Sequence, residues 1–168
     1  VERKVTVIID CHGHYTTAPK ALEEWRNRQI AGLEDPAVAP KHSELAISDD
    51  DLRASIETNQ LARMKERGSD LTIFSPRASF MAHHIGNFET SATWAAICNE
   101  LCHRVSRLFP DHFIGAAMLP QSPGVDPRTC IPELERCVTE YGFVAINLNP
   151  DPSGGHWREP PLSDRHWY

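Results

Sequence analysis

Positive charge is in short supply: 17 lysines and arginines against 23 acidic residues leave a net charge of -6 with the histidines neutral. There is no arginine-rich run with interleaved aromatics either, so the chain lacks the basic face that a nucleic-acid partner requires. Long apolar runs are also missing. No stretch approaches the roughly 20 residues needed to cross a bilayer, and the opening VERKVTVIID lacks the long apolar core and small-residue cleavage site of a secretion signal. The expectation is a cytoplasmic protein with no membrane partner. Cysteine is sparse and unpaired in pattern: the five residues Cys11, Cys98, Cys102, Cys130 and Cys137 are odd in number and form no CxxC. A disulfide framework is not expected, and the thiols are read as reduced.

What is present suits one compact domain across residues 1–168, with 40% hydrophobic and 24% charged residues, enough to bury a core. Strand-like and helix-like segments alternate. Val5 to Ile9 is continuous and β-branched, the pattern of a strand covered on both faces. Ala21 to Ile30 reads as a helix. Ser48, with Asp51 three residues on, opens a second from about Asp49 to Arg67, closed by Gly68. Leu71 to Phe74 is the second strand, and a helix from about Ser91 to Leu108 follows. Phe113 to Met118 is the third strand, Pro127 to Tyr141 the next helix, and Phe143 to Leu148 the fourth strand. Such alternation predicts an α/β fold with a parallel sheet and helices packed outside it. Four units fit, whereas a complete (β/α)8 barrel takes about 250 residues.

Asp10, His12 and His14 alternate, so in an undisturbed strand they share one side at its carboxyl end, where α/β proteins build their sites. Two imidazoles aimed at one point begin a divalent metal site, with Asp10, one step deeper, able to orient one of them as a hydrogen-bond acceptor. The same histidines also suit a polar strand cap with Gly13 supplying a turn. Arg77, just past the second strand, sits where a guanidinium could clamp a carboxylate, although position alone favours a loop salt bridge. Asn147 and Asn149 share a parity at the mouth of the fourth strand, where they could hydrogen-bond a ligand; Asn147 is taken as a substrate contact, while turn formation before Pro150 explains Asn149 nearly as well. His83 and His84 are adjacent and so rarely converge on one metal. Cys98 with Cys102, and Cys130 with Cys137, fall at helical-face spacing and read as core.

The blocks IIDCHGHYT, SDLTIFSPRASFMAHH, AAMLPQSP, CIPELERCV, INLNPDPSGGHW and PPLSDRHWY resemble the amino-terminal half of the 4-oxalomesaconate hydratase family, in the amidohydrolase superfamily. That branch also contains aminocarboxymuconate-semialdehyde and resorcylate decarboxylases. The resemblance implies a TIM-type (β/α)8 barrel of which this chain supplies about the first four β/α units. It further implies one zinc ion held in part by His12 and His14, and Arg77 holding a carboxylate of the substrate. The implied reaction is reversible hydration of a small polycarboxylate, 4-oxalomesaconate, in protocatechuate and gallate breakdown. The other metal ligands and the proton-transferring acid are expected beyond Tyr168. Two alternatives stand beside this: a metal-dependent decarboxylase or hydrolase of the same branch, and a non-catalytic half-barrel that associates through its exposed sheet edges, with itself or with a missing partner half.

Overall fold

The computed structural model describes residues 6–77 and 80–154. Val5, expected to open the first strand, and the motif residues 78–79, 155–157 and 160–168 lie outside the described residues. The elements run β1 (Ile9–Tyr15), α1 (Lys20–Ala31), α2 (Asp49–Ile56), a π-helical turn (Glu57–Leu61), α3 (Ala62–Arg67), β2 (Leu71–Pro76), α4 (Phe88–Leu108), β3 (Phe113–Met118), α5 (Ile131–Thr139) and β4 (Ala145–Asn147). The strands lie in the order β1-β2-β3-β4 and every neighbouring pair is parallel. This is the predicted alternation, curled as part of a barrel wall.

β1 begins four residues later than the apolar run predicts and continues through both histidines. Its limits are set by pairing rather than by hydrophobicity, because Ile9 pairs with Leu71 and Tyr15 with Pro76. Ahead of it, the Ile8 amide donates to the Asp70 carboxylate at 2.8 Å. Nor is the apolar run covered on both faces: Val7, Ile8 and Ile9 are exposed, as are Val144 and Ile146 at the opposite edge of the sheet.

Helix α2 starts where the Ser48/Asp51 pattern places it, with the Asp51 amide donating to Ser48 Oγ at 3.1 Å and the Ser48 amide to the Asp51 carboxylate at 2.9 Å. Gly68 closes α3 at φ +69°. Between them the helix widens into a π turn, which moves the buried stripe by one residue: Leu52, Ile56, then Leu61 and Met64. The freed Ser55 carbonyl accepts from Thr17 Oγ1 at 3.0 Å, and Gln60 Nε2 donates to Thr16 Oγ1 at 3.2 Å. The turn therefore grips the loop that leaves β1.

α4 begins three residues before the expected Ser91, because Asn87 caps it by accepting from the Thr90 amide at 3.0 Å. The last predicted helix splits into a 3-10 turn (Pro127–Cys130) and α5, where Pro132 sits in the first turn and needs no donor. β4 is shorter than Phe143 to Leu148 because Phe143 turns its amide to the Cys137 carbonyl at 3.0 Å. The main core packs Phe74, Phe113, Leu101, Val105 and Phe143 between the sheet and its helices. Cys98, Cys102, Cys130 and Cys137 are buried there or in the adjoining Trp25/Trp94 cluster, as their spacing predicts.

Candidate functional site

The two histidines do converge, but by a route that simple alternation does not describe. Asp10 pairs with Thr72 and Gly13 with Phe74, so β1 carries one extra residue between them, a bulge at Cys11 and His12. Asp10 and His14 thereby match Thr72 and Ser75, three residues apart on β2 and so on opposite faces. Asp10 is not placed behind an imidazole; its carboxylate accepts from the backbone amide of His12 at 3.0 Å. The rings of His12 and His14 stand edge to face with centroids 4.7 Å apart.

Gly13 is not the turn residue its position suggests. It has no positive φ, and a Cβ built on it falls 2.1 Å from Thr72 Cγ2. A glycine is needed because β1 and β2 approach too closely for any side chain.

His14 Nδ1 lies 2.7 Å from Ser75 Oγ and 3.2 Å from the Pro76 carbonyl oxygen. Burial pushes this imidazole below its usual range, and the neighbouring His12 adds to the effect, against smaller raising contributions from Pro76 and Asp10. The neutral ring that results is the form that ligates a metal. Asn147 Nδ2 donates to the same Ser75 hydroxyl at 3.2 Å. The mouth is thus tied across β1, β2 and β4 through a serine that sequence reading passed over. Ser75 alternates with Ile73 at the carboxyl end of β2, and that parity was the available signal.

The hollow at this mouth is lined by Cys11, His12, His14, Ser75, Ala116 and Asn147 and holds about 60 Å³. That is room for an ion with water. Arg77 is not in it. It is exposed, its guanidinium stands 5.0 Å over the Phe80 ring, and it lines a separate cleft of about 120 Å³ with Tyr15, Thr16, Leu22 and Trp94. A larger hollow of about 460 Å³ lies away from the strand ends, against α4, where His42 faces Glu100 and Arg104 pairs with Asp49. Strand-end chemistry, not size, singles out the histidine mouth.

Two other sequence candidates have structural settings. His83 is fully buried, with Nδ1 2.6 Å from Ser91 Oγ and no partner for Nε2 among the described residues. Burial, with the nearby Arg26, pushes it down to about 4. His84 lies under Gly154, where a Cβ would fall 2.5 Å from its ring. Asn149 is held by Gln121, whose amide donates to the Asn149 carbonyl at 3.0 Å and whose Oε1 accepts from the Asn149 amide at 2.6 Å.

Among the described residues no group of three or more histidine, cysteine or acidic side chains is placed to hold a metal, and two imidazoles fall short of the three protein ligands that a zinc site uses. The fit is chemical: two imidazoles meet at a strand end, and one of them has its Nδ1 already engaged.

The amidohydrolase family model matches residues 9–168. The chain belongs to the amidohydrolase family. It is 57% identical over 162 residues to a 2-keto-4-carboxy-3-hexenedioate hydratase of Sphingobium sp. (strain NBRC 103272 / SYK-6), covering 96% of this chain and 47% of that relative. It is 76% identical to the crystal structure of a 4-oxalomesaconate hydratase from Rhodopseudomonas palustris, with TM-score 0.90, over 96% of this chain and 47% of that one. A dihydroxybenzoic acid decarboxylase from Polaromonas sp. JS666, solved with bound manganese and an inhibitor, is 26% identical with TM-score 0.57, over 86% and 39% of the two chains. This amidohydrolase chain therefore spans about half the length of the relatives it matches, and its four parallel strands correspond to part of their barrel. Among the described residues no helix is long and apolar enough to cross a membrane.

Proposed function

We propose that residues 1–168 are the amino-terminal part of a single barrel domain in a cytoplasmic hydratase. The reaction is addition of water to the carbon–carbon double bond of 4-oxalomesaconate, giving 4-carboxy-4-hydroxy-2-oxoadipate. The observation that carries this reading is the 76% identity and TM-score of 0.90 to a 4-oxalomesaconate hydratase over 96% of the chain.

His12 and His14 would hold the metal, proposed to be zinc, with further ligands supplied outside these residues. When bound, such an ion acts as a Lewis acid that stabilises negative charge developing on an oxygen near the strand ends. The chain's own side chains do the rest of the work assigned to this half. His14 is kept neutral by burial. Arg77 receives a substrate carboxylate at the edge of its own cleft, where its planar donors match two oxygens. Because the chain carries a net charge of -6, long-range attraction does not favour a tricarboxylate and a local cation has to do so. Asn147 spends one amide hydrogen on Ser75 and keeps its carbonyl oxygen and second hydrogen for the ligand.

Decarboxylation is the second reading, favoured by the likeness to the dihydroxybenzoic acid decarboxylase. The full-length protein, loaded with zinc or manganese, separates the two. Consumption of 4-oxalomesaconate without release of carbon dioxide supports the hydratase. Release of carbon dioxide from a dihydroxybenzoate, with 4-oxalomesaconate untouched, overturns it.

A further inference from the structure

We infer that Ser75 is the positioning residue that fixes which nitrogen of His14 faces the metal. The inference rests on the metal reading of the mouth given above. The proton count follows from the acceptors. The Pro76 carbonyl oxygen can only accept, so a ring nitrogen 3.2 Å from it carries the hydrogen. With Nδ1 protonated, the shorter 2.7 Å contact is a donation from His14 to Ser75 Oγ. Asn147 Nδ2 donates to the same oxygen at 3.2 Å, which occupies its lone pairs. The single serine hydrogen is then left for a carbonyl oxygen, that of Gly13 at 3.1 Å or Pro76 at 3.3 Å. Every donor and acceptor is satisfied in this one arrangement. The opposite tautomer would set the Nδ1 lone pair against the Pro76 oxygen and compete for the only hydrogen Ser75 has.

The consequence reaches the site. Nδ1 is consumed on the β2 side, so Nε2 presents its lone pair to the mouth. Ser75 is 3% exposed and is itself anchored from β4 by Asn147, and the ring cannot turn without breaking its contacts to both Ser75 and Pro76 on β2. Ser75 holds the backbone just ahead of His14 as well as the ring when its hydrogen goes to Gly13. Partners of this kind behind a metal-binding histidine are worth about 10- to 100-fold in metal affinity.

The test uses the full-length protein and two readouts. Long-range proton–nitrogen NMR of the metal-free wild type should show His14 as the Nδ1–H tautomer; the Nε2–H form overturns the inference without any variant. Zinc affinity, measured by competition with a chromophoric chelator, should fall about 10- to 100-fold in Ser75→Ala and return to within about threefold of wild type in Ser75→Thr. A folded Ser75→Ala protein within about threefold of wild type, or a threonine variant as weak as alanine, also overturns it. A merely structural serine would lower the unfolding temperature and leave zinc affinity alone. If the wild type shows the Nδ1–H tautomer yet retains no zinc, the metal reading fails and the positioning of His14 stands.

Discussion

Asn99 and Met118 exchange two hydrogen bonds of 2.8 Å each, the amide of the buried asparagine donating to the Met118 carbonyl and its Oδ1 accepting from the Met118 amide. A side chain of α4 thus supplies the end of β3 with the partners a strand would otherwise provide. Met118 is also the residue that pairs with Asn147. Asn99 therefore supports the floor of the candidate site from outside the sheet. Asn99→Leu strips both partners from a buried backbone and should lower unfolding stability by about 2–4 kcal/mol, read by chemical denaturation. A loss below about 0.5 kcal/mol would show that these contacts are replaceable.

The close approach at Gly13 makes a separate prediction. Gly13→Ala places a methyl group 2.1 Å from Thr72 Cγ2, so β1 must move away from β2. Strain of this size costs about 1–3 kcal/mol, and the displaced histidines should bind zinc more weakly. Removing the obstructing methyl with Thr72→Ala in the same protein should recover most of both losses. A double variant no better than Gly13→Ala alone would place the cause elsewhere.

Arg77 tests the substrate assignment. In the full-length protein, Arg77→Met should lower kcat/KM for 4-oxalomesaconate about 30- to 1,000-fold, equivalent to about 2–4 kcal/mol, because a charge-assisted bidentate contact is lost. Arg77→Lys keeps the charge without the planar fork and should recover only part. An efficiency within about threefold of wild type, with zinc content unchanged, would leave Arg77 as a cation resting on Phe80.

His83 sets an acid limit on stability. Its folded value of about 4 lies below the unfolded value near 6.5. Between those values the unfolded chain binds the extra proton, so stability rises with pH across that window and is lost as pH falls through it. The full effect is of order 3 kcal/mol, reached at about pH 4 and below. His83→Gln should flatten the stability profile between pH 6.5 and 4. An equally steep profile in the variant would assign the acid sensitivity to other groups.

Much of the architecture was legible in the sequence because it rests on local signals: the Ser48/Asp51 cap, the positive-φ Gly68, and the apolar runs of β2 and β3. The histidine pair was legible for the same reason. What escaped reading depends on neighbours distant along the chain. The start of β1 is fixed by pairing with β2, and the bulge that separates Asp10 from His14 exists only in that register. The π turn answers the loop after β1, through Thr17 and Gln60. Ser75 carries no signature in a single strand; its role appears only when His14 and Asn147 arrive from β1 and β4.

The central claim is that His12 and His14 together hold a metal ion at the carboxyl end of β1, and elemental analysis of the full-length protein tests it most directly. Wild type should carry about one equivalent of zinc or manganese, since the site draws on a single pair of imidazoles. The His12→Ala/His14→Ala variant, with far-ultraviolet circular dichroism unchanged, should carry less than a tenth of that. Stoichiometric metal in the folded double variant would contradict the account.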